Sequence, residues 1–289
     1  MNWDELFVAN GRLRSGWRFI VAVAMVVFAQ VAVGVFLGVV FGIAGREPAH
    51  VIFWASCFTL PALLAVFKIL TGFFEKKPLS SVGLALSGRW KIELGMGLAL
   101  GAMMALGVAA LDWSTGVVHF AWNSMAAERA LAGGAYYGVL FAVAATNEEL
   151  MFRGYPFQRL VESVGPAAAV AVSSVSFGVA HLGNPSHTWL STLNTMLVGM
   201  PLAVGYLRTR ALWLPIGMHF AWNFVQAYAL GFEVSGLRFS RTLLKVDVHG
   251  LQWLSGGNYG PEGSGLATIV ITVATLYLLF SRRIYTTEV

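Results

Sequence analysis

Eight stretches of this chain run for about 17 to 25 residues with few charges inside them: 19–43, 50–70, 92–111, 131–152, 166–182, 188–207, 212–232 and 265–281. A run of that length, wound as a helix, spans the hydrocarbon layer of a bilayer. Water is absent there, so each span must satisfy its own backbone hydrogen bonds, and a helix does so. Only 11% of the residues are charged and 57% are hydrophobic, against about 25% charged in a soluble globular chain. The expectation is an all-α polytopic integral membrane protein of about eight transmembrane helices enclosing an intramembrane cavity. The first run is longer than a signal-peptide core and no small-residue cleavage site follows it, so it is read as a retained span. Clusters of small residues (Gly95, Gly97 and Gly101; Gly133, Gly134 and Gly138) predict close helix–helix approach.

The positive charges predict an orientation. With a cytoplasmic N-terminus, the inner pieces hold 14 of the 19 Lys and Arg residues, including Lys76, Lys77, Arg89, Lys91, Arg153 and Arg159. The outer pieces hold five: Arg46, Arg129, Arg238, Arg241 and Lys245. Both termini are therefore expected on the cytoplasmic side, with loop 233–264 outside. The net charge of +5 sits beside the ends of the apolar runs and forms no contiguous patch. It suits lipid headgroups and excludes a nucleic-acid partner. Cys57 is the only cysteine, which excludes an internal disulfide and a cysteine-ligated metal, and it is expected to pack in the second span.

Ionisable groups inside the apolar runs cost about 2.5–3.5 kcal/mol each on insertion scales and so mark function. Glu148 and Glu149 stand in Thr146-Asn147-Glu148-Glu149-Leu150-Met151-Phe152-Arg153, His181 ends Phe177-Gly178-Val179-Ala180-His181, and His219 opens His219-Phe220-Ala221-Trp222-Asn223. Glu149 and Arg153 are four apart and share a helix face, where they can pair. Glu148 then points about 100° away. His219 with Asn223, and Phe177 with His181, repeat the four-residue spacing. No H-E-x-x-H zinc motif occurs. The aspartates, Asp4, Asp112 and Asp247, are placed in terminal or loop segments, so no aspartyl dyad is expected. Ser264 is read as a loop-to-helix transition rather than a nucleophile. One carboxylate, two imidazoles and an amide suit the activation of water, with general base and oxyanion donors in one pocket.

These three motifs, in this order, resemble the type II CAAX prenyl endopeptidase and bacteriocin-processing (CPBP) family, whose pattern is E-E-x-x-x-R, then F-x-x-x-H, then H-x-x-x-N. The resemblance covers roughly residues 130–280, and includes the loop Gly256-Gly257-Asn258-Tyr259-Gly260-Pro261-Glu262-Gly263, which is similar to bacterial members. It implies a bacterial-type membrane endopeptidase in which Glu148 and His181 activate water, His219 and Asn223 stabilise the oxyanion, and Glu149, Arg153 and Phe177 support them. It implies no cofactor, with zinc at Glu148, His181 and His219 as the alternative. The partners implied are a peptide or membrane-protein substrate and the lipid bilayer. Residues 1–130 form an N-terminal part without an assignable motif, and 131–289 the catalytic core. Two other readings stay open: a non-catalytic bacteriocin-immunity or scaffold protein of the same fold, and a proton-coupled transporter. On the span boundaries drawn above, Glu148 and His181 would lie about 20 Å apart in depth at 1.5 Å per residue. They can meet only if the fourth helix runs on through Arg153 and the fifth begins deep in the membrane.

Overall fold

Each of the eight apolar segments is helical in the computed structural model, which describes residues 6–9, 11–41, 48–86, 88–282 and 284. Asp4 and Arg46, used in the sequence reading, lie outside the described residues, as does Arg283, one of the 14 inner charges. The helices are α1 (Ser15–Phe41), α2 (Pro48–Leu70, continued by a π turn over Thr71–Glu75), α3 (Trp90–Ser114) and α4 (Ala127–Arg153). After a short amphipathic α5 (Tyr155–Val164) come α6 (Pro166–Ala180), α7 (Trp189–Thr209), α8 (Trp213–Phe224, continued by a π turn over Val225–Leu230) and, beyond a loop, α9 (Gly265–Phe280). Five helical stretches are long and apolar enough to cross a membrane: Ser15–Val40, His50–Glu75, Trp90–Ser114, Ala127–Val164 and Trp189–Thr209. Helices α6 and α9 are apolar but shorter, at 15 and 16 residues.

Local chemistry sets the helix ends. Proline, which needs no hydrogen-bond acceptor for its nitrogen, opens α2 and α6. A capping box of Thr188 and Ser191 starts α7, and the Ser264 hydroxyl accepts from the Ala267 amide at 3.0 Å to start α9. Ser264 is thus spent on capping.

The packed pairs have consistent directions. Arg18 meets Glu75 and Thr59 meets Gln30, so α1 and α2 run antiparallel. Tyr228, on the π turn after α8, meets Ala130, and His219 meets Glu149, so α4 and α8 are antiparallel too. Asn194 reaches Ser264 while Arg208 reaches Leu279 and Ser281, which makes α7 and α9 parallel. The closest contact is between the parallel helices α3 and α8. A side chain on Gly97 would overlap the Leu214 carbonyl, and one on Gly101 the Met218 carbonyl, so only glycine lets these backbones touch.

Two regions depart from the expected all-helical plan. Val8–Ala9 pairs with Arg12–Leu13, and Val118–Trp122 pairs antiparallel with Leu244–Val248, with Val118 opposite Val248. The second ribbon ties the connection after α3 to the one after α8. Asp112 also differs from its expected loop position. It lies in the last turns of α3, fully buried, with neither carboxylate oxygen hydrogen-bonded. Helix α3 simply continues past the apolar run, through Leu111-Asp112-Trp113-Ser114.

Candidate active site

Helices α4 and α6 are held antiparallel by a bond from the Ser173 hydroxyl to the Phe152 carbonyl (2.9 Å) and by an edge-to-face contact of Phe152 with Phe177 (centroids 5.1 Å apart). One turn back along α4 and one turn on along α6, this register brings Glu148 opposite His181. Glu148 Oε2 is 3.7 Å from His181 Nε2 and 3.8 Å from His219 Nε2. The 20 Å separation in depth is therefore overturned. Helix α4 does run through Arg153, and α5 carries the chain ten further residues before α6 turns back. The start of α6 thus lies well below Glu148, and its end reaches the same level.

Both imidazoles are fixed from behind. His181 Nδ1 donates to the Phe177 carbonyl at 2.7 Å, and His219 Nδ1 to Glu149 Oε1 at 2.9 Å. A carbonyl or carboxylate oxygen only accepts, so in the neutral ring the proton sits on Nδ1 and the Nε2 lone pair faces Glu148. Glu148 Oε2 is itself buried and has no hydrogen-bond partner. With both rings neutral three acceptors surround one small volume, and with His219 protonated at both nitrogens its Nε2–H is a donor to that volume.

Glu149 and Arg153 form a second layer, both with fully buried side chains. Arg153 Nη1 donates to Glu149 Oε1 at 3.2 Å, Nη2 donates to the Gly199 carbonyl at 3.1 Å, and the guanidinium lies 4.5 Å from the centre of the Phe177 ring. Phe177 also lies 4.6 Å from the His181 ring and 6.0 Å from the His219 ring. One aromatic side chain thereby packs against the guanidinium and both imidazoles. Asn223 lines the same cavity, one turn beyond His219. The cavity measures about 410 Å³ and has largely apolar walls, among them Phe141, Leu202 and Met218. Among the described residues, no group of three or more His, Cys, Asp or Glu side chains is arranged to hold a metal ion.

Several cavity residues escaped the sequence reading. Gln30 on α1, Ile52 on α2 and Met104 on α3 reach it from the part of the chain without motifs. Glu262 enters from the loop before α9. Its Oε1 accepts from Trp222 Nε1 (2.7 Å), and its Oε2 accepts from the Ser235 amide and hydroxyl (both 2.8 Å). A search for charges inside apolar runs cannot find a charge on a loop. The signal available was the glycine density of residues 256–263. Gly260, at φ 97°, is pressed against the Glu233 carbonyl where a side chain would overlap, so the loop is folded inward.

Residues 132–225 match the sequence model of the family described as type II CAAX prenyl endopeptidase Rce1-like. That segment is Rce1-like. The Rce1-like segment contains Glu148, Glu149, Arg153, Phe177, His181, His219 and Asn223, and it stops short of the loop bearing Glu262. No curated protein matches the chain.

Proposed function

We propose that this chain is an intramembrane endopeptidase that hydrolyses a peptide bond with a water activated by Glu148. The observation that carries the reading is the convergence of Glu148 Oε2 with the Nε2 atoms of His181 and His219 at 3.7 and 3.8 Å. A water held between them donates one hydrogen bond to Glu148 and one to His181, while His219, protonated at both nitrogens, points its Nε2–H into the same volume. The water oxygen attacks the substrate carbonyl as Glu148 takes the proton shared with it, which Glu148 then passes to the leaving nitrogen. Asn223 donates to the oxyanion, as does His219 in its imidazolium form, whose charge Glu149 balances. Arg153 holds Glu149 in place. The alternating helix directions support eight crossings, with the site inside the layer and a peptide or membrane-protein segment as substrate.

The metal-free reading has zinc held by Glu148, His181 and His219 as its alternative, and the two differ in what chelation and metal analysis would find. Glu148→Gln keeps the shape and removes the base, so turnover of a cleaved peptide should fall by about 10² or more with KM little changed. His219→Ala should lower turnover yet leave residual activity, because it removes one oxyanion donor. Chelators should leave the wild type active. Stoichiometric zinc that is lost with Glu148→Gln or His219→Ala would overturn the metal-free reading. Full activity in Glu148→Gln would reject Glu148 as catalyst altogether.

A further inference from the structure

The cavity has a second acidic end that the proposed hydrolysis does not use. Glu262 is half-buried at the cavity wall, and three donors fix its carboxylate: the Trp222 indole, the Ser235 amide and the Ser235 hydroxyl. Its backbone is held as well, because Asn194 Nδ2 donates to the Glu262 carbonyl at 2.8 Å. Asn194 is 1% exposed and also holds the Ser264 carbonyl and the Thr268 hydroxyl, so the loop is anchored to α7 and α9. All three donors to the carboxylate are neutral. Among the described residues no Lys, Arg or His comes within ion-pair distance of Glu262, whereas Glu75, Glu149, Glu162 and Glu233 each have such a partner. A rigid carboxylate with no countercharge, in a largely apolar cavity, is an electrostatic complement to a cation.

Resting on the endopeptidase reading, we infer that Glu262 is a specificity residue that binds a cationic group of the substrate, a lysine or arginine side chain or a free amine. Trp222, which holds the carboxylate, lies three residues beyond His219 on α8, about 4.5 Å along the axis. An extended peptide advances about 3.3 Å per residue. The cation therefore belongs within about two residues of the scissile bond, with the apolar walls taking the neighbouring side chains.

The test uses apolar octapeptides that carry lysine, norleucine or glutamate at one scanned position. Binding is measured by fluorescence anisotropy to the purified full chain in detergent, both wild type and Glu148→Gln, and cleavage is followed with the wild type. At one position lysine should bind at least tenfold more tightly than norleucine, in both proteins. Glu262→Gln should bring that ratio close to one. Trp222→Phe, which removes one donor and keeps the charge, should preserve it. A ratio near one at every position in the wild type overturns the inference, whatever Glu262→Gln does to folding. Lysine preference in binding without any cleavage would leave the cationic subsite standing and sink the hydrolytic reading. Cleavage without lysine preference would do the reverse.

Discussion

Arg153 is a full charge with no exposure, and its partners Glu149, Gly199 and Phe177 are buried as well. Breaking a buried pair by removing one partner typically costs about 3–5 kcal/mol, because the other charge is left uncompensated. Arg153→Ala should therefore lower thermal stability in detergent as well as activity. Wild-type melting with lost turnover would instead place Arg153 on the substrate. Asp112 presents the opposite case, a buried carboxylate without a hydrogen-bond donor. Asp112→Asn keeps its volume and removes the charge, so the protein should melt at the same temperature or higher, by about 1 kcal/mol of added stability. A clear loss of stability would mean that the carboxylate has an ionic role.

At the scale of elements, the α3–α8 contact exists because Gly97 and Gly101 carry no side chain. Gly101→Ile must push α8 away at Met218, one residue from His219. Overpacking of this kind costs about 1–3 kcal/mol, and a shift at His219 should lower turnover more than it raises KM. Unchanged kinetics would show that the packing and the site are uncoupled. The same elements show what could be read in advance. The eight helices were legible because apolar length in a bilayer leaves the backbone one solution. Glu148, His181 and His219 were legible because ionisable groups stand out against apolar neighbours. The depth at which Glu148 meets His181 was not, since α5 mixes charged with apolar residues and falls outside any span drawn from apolar length alone. Glu262 and the Val118–Trp122 ribbon were hidden for a related reason: segments outside the apolar runs have no dominant force that fixes one conformation.

Across the whole molecule, one end carries a linked network of ion pairs. Glu75 accepts from Arg18 and Tyr155 and pairs with Arg159, and Arg159 also pairs with Glu162, which ties α1, α2 and α5 together there. Loop residues such as Lys76 and Lys77 lie beside them. The positive-inside rule predicts that this end faces the cytoplasm. A Cys57→Ala chain carrying Ser80→Cys should then resist an impermeant thiol reagent added outside, and one carrying Ser240→Cys should react. The reverse pattern would invert the protein in the membrane. The order in which the site is assembled has a consequence for biogenesis. Glu148 enters with α4 and His181 with α6, while His219 waits for α8 and Glu262 for the loop after it. A ribosome-bound chain therefore carries its base into the bilayer well before the groups that would arm it. On the proposed endopeptidase reading, a synthesis product that stalls before α8 lacks both oxyanion donors and the cavity wall they stand on, and should be inactive toward the membrane proteins around it.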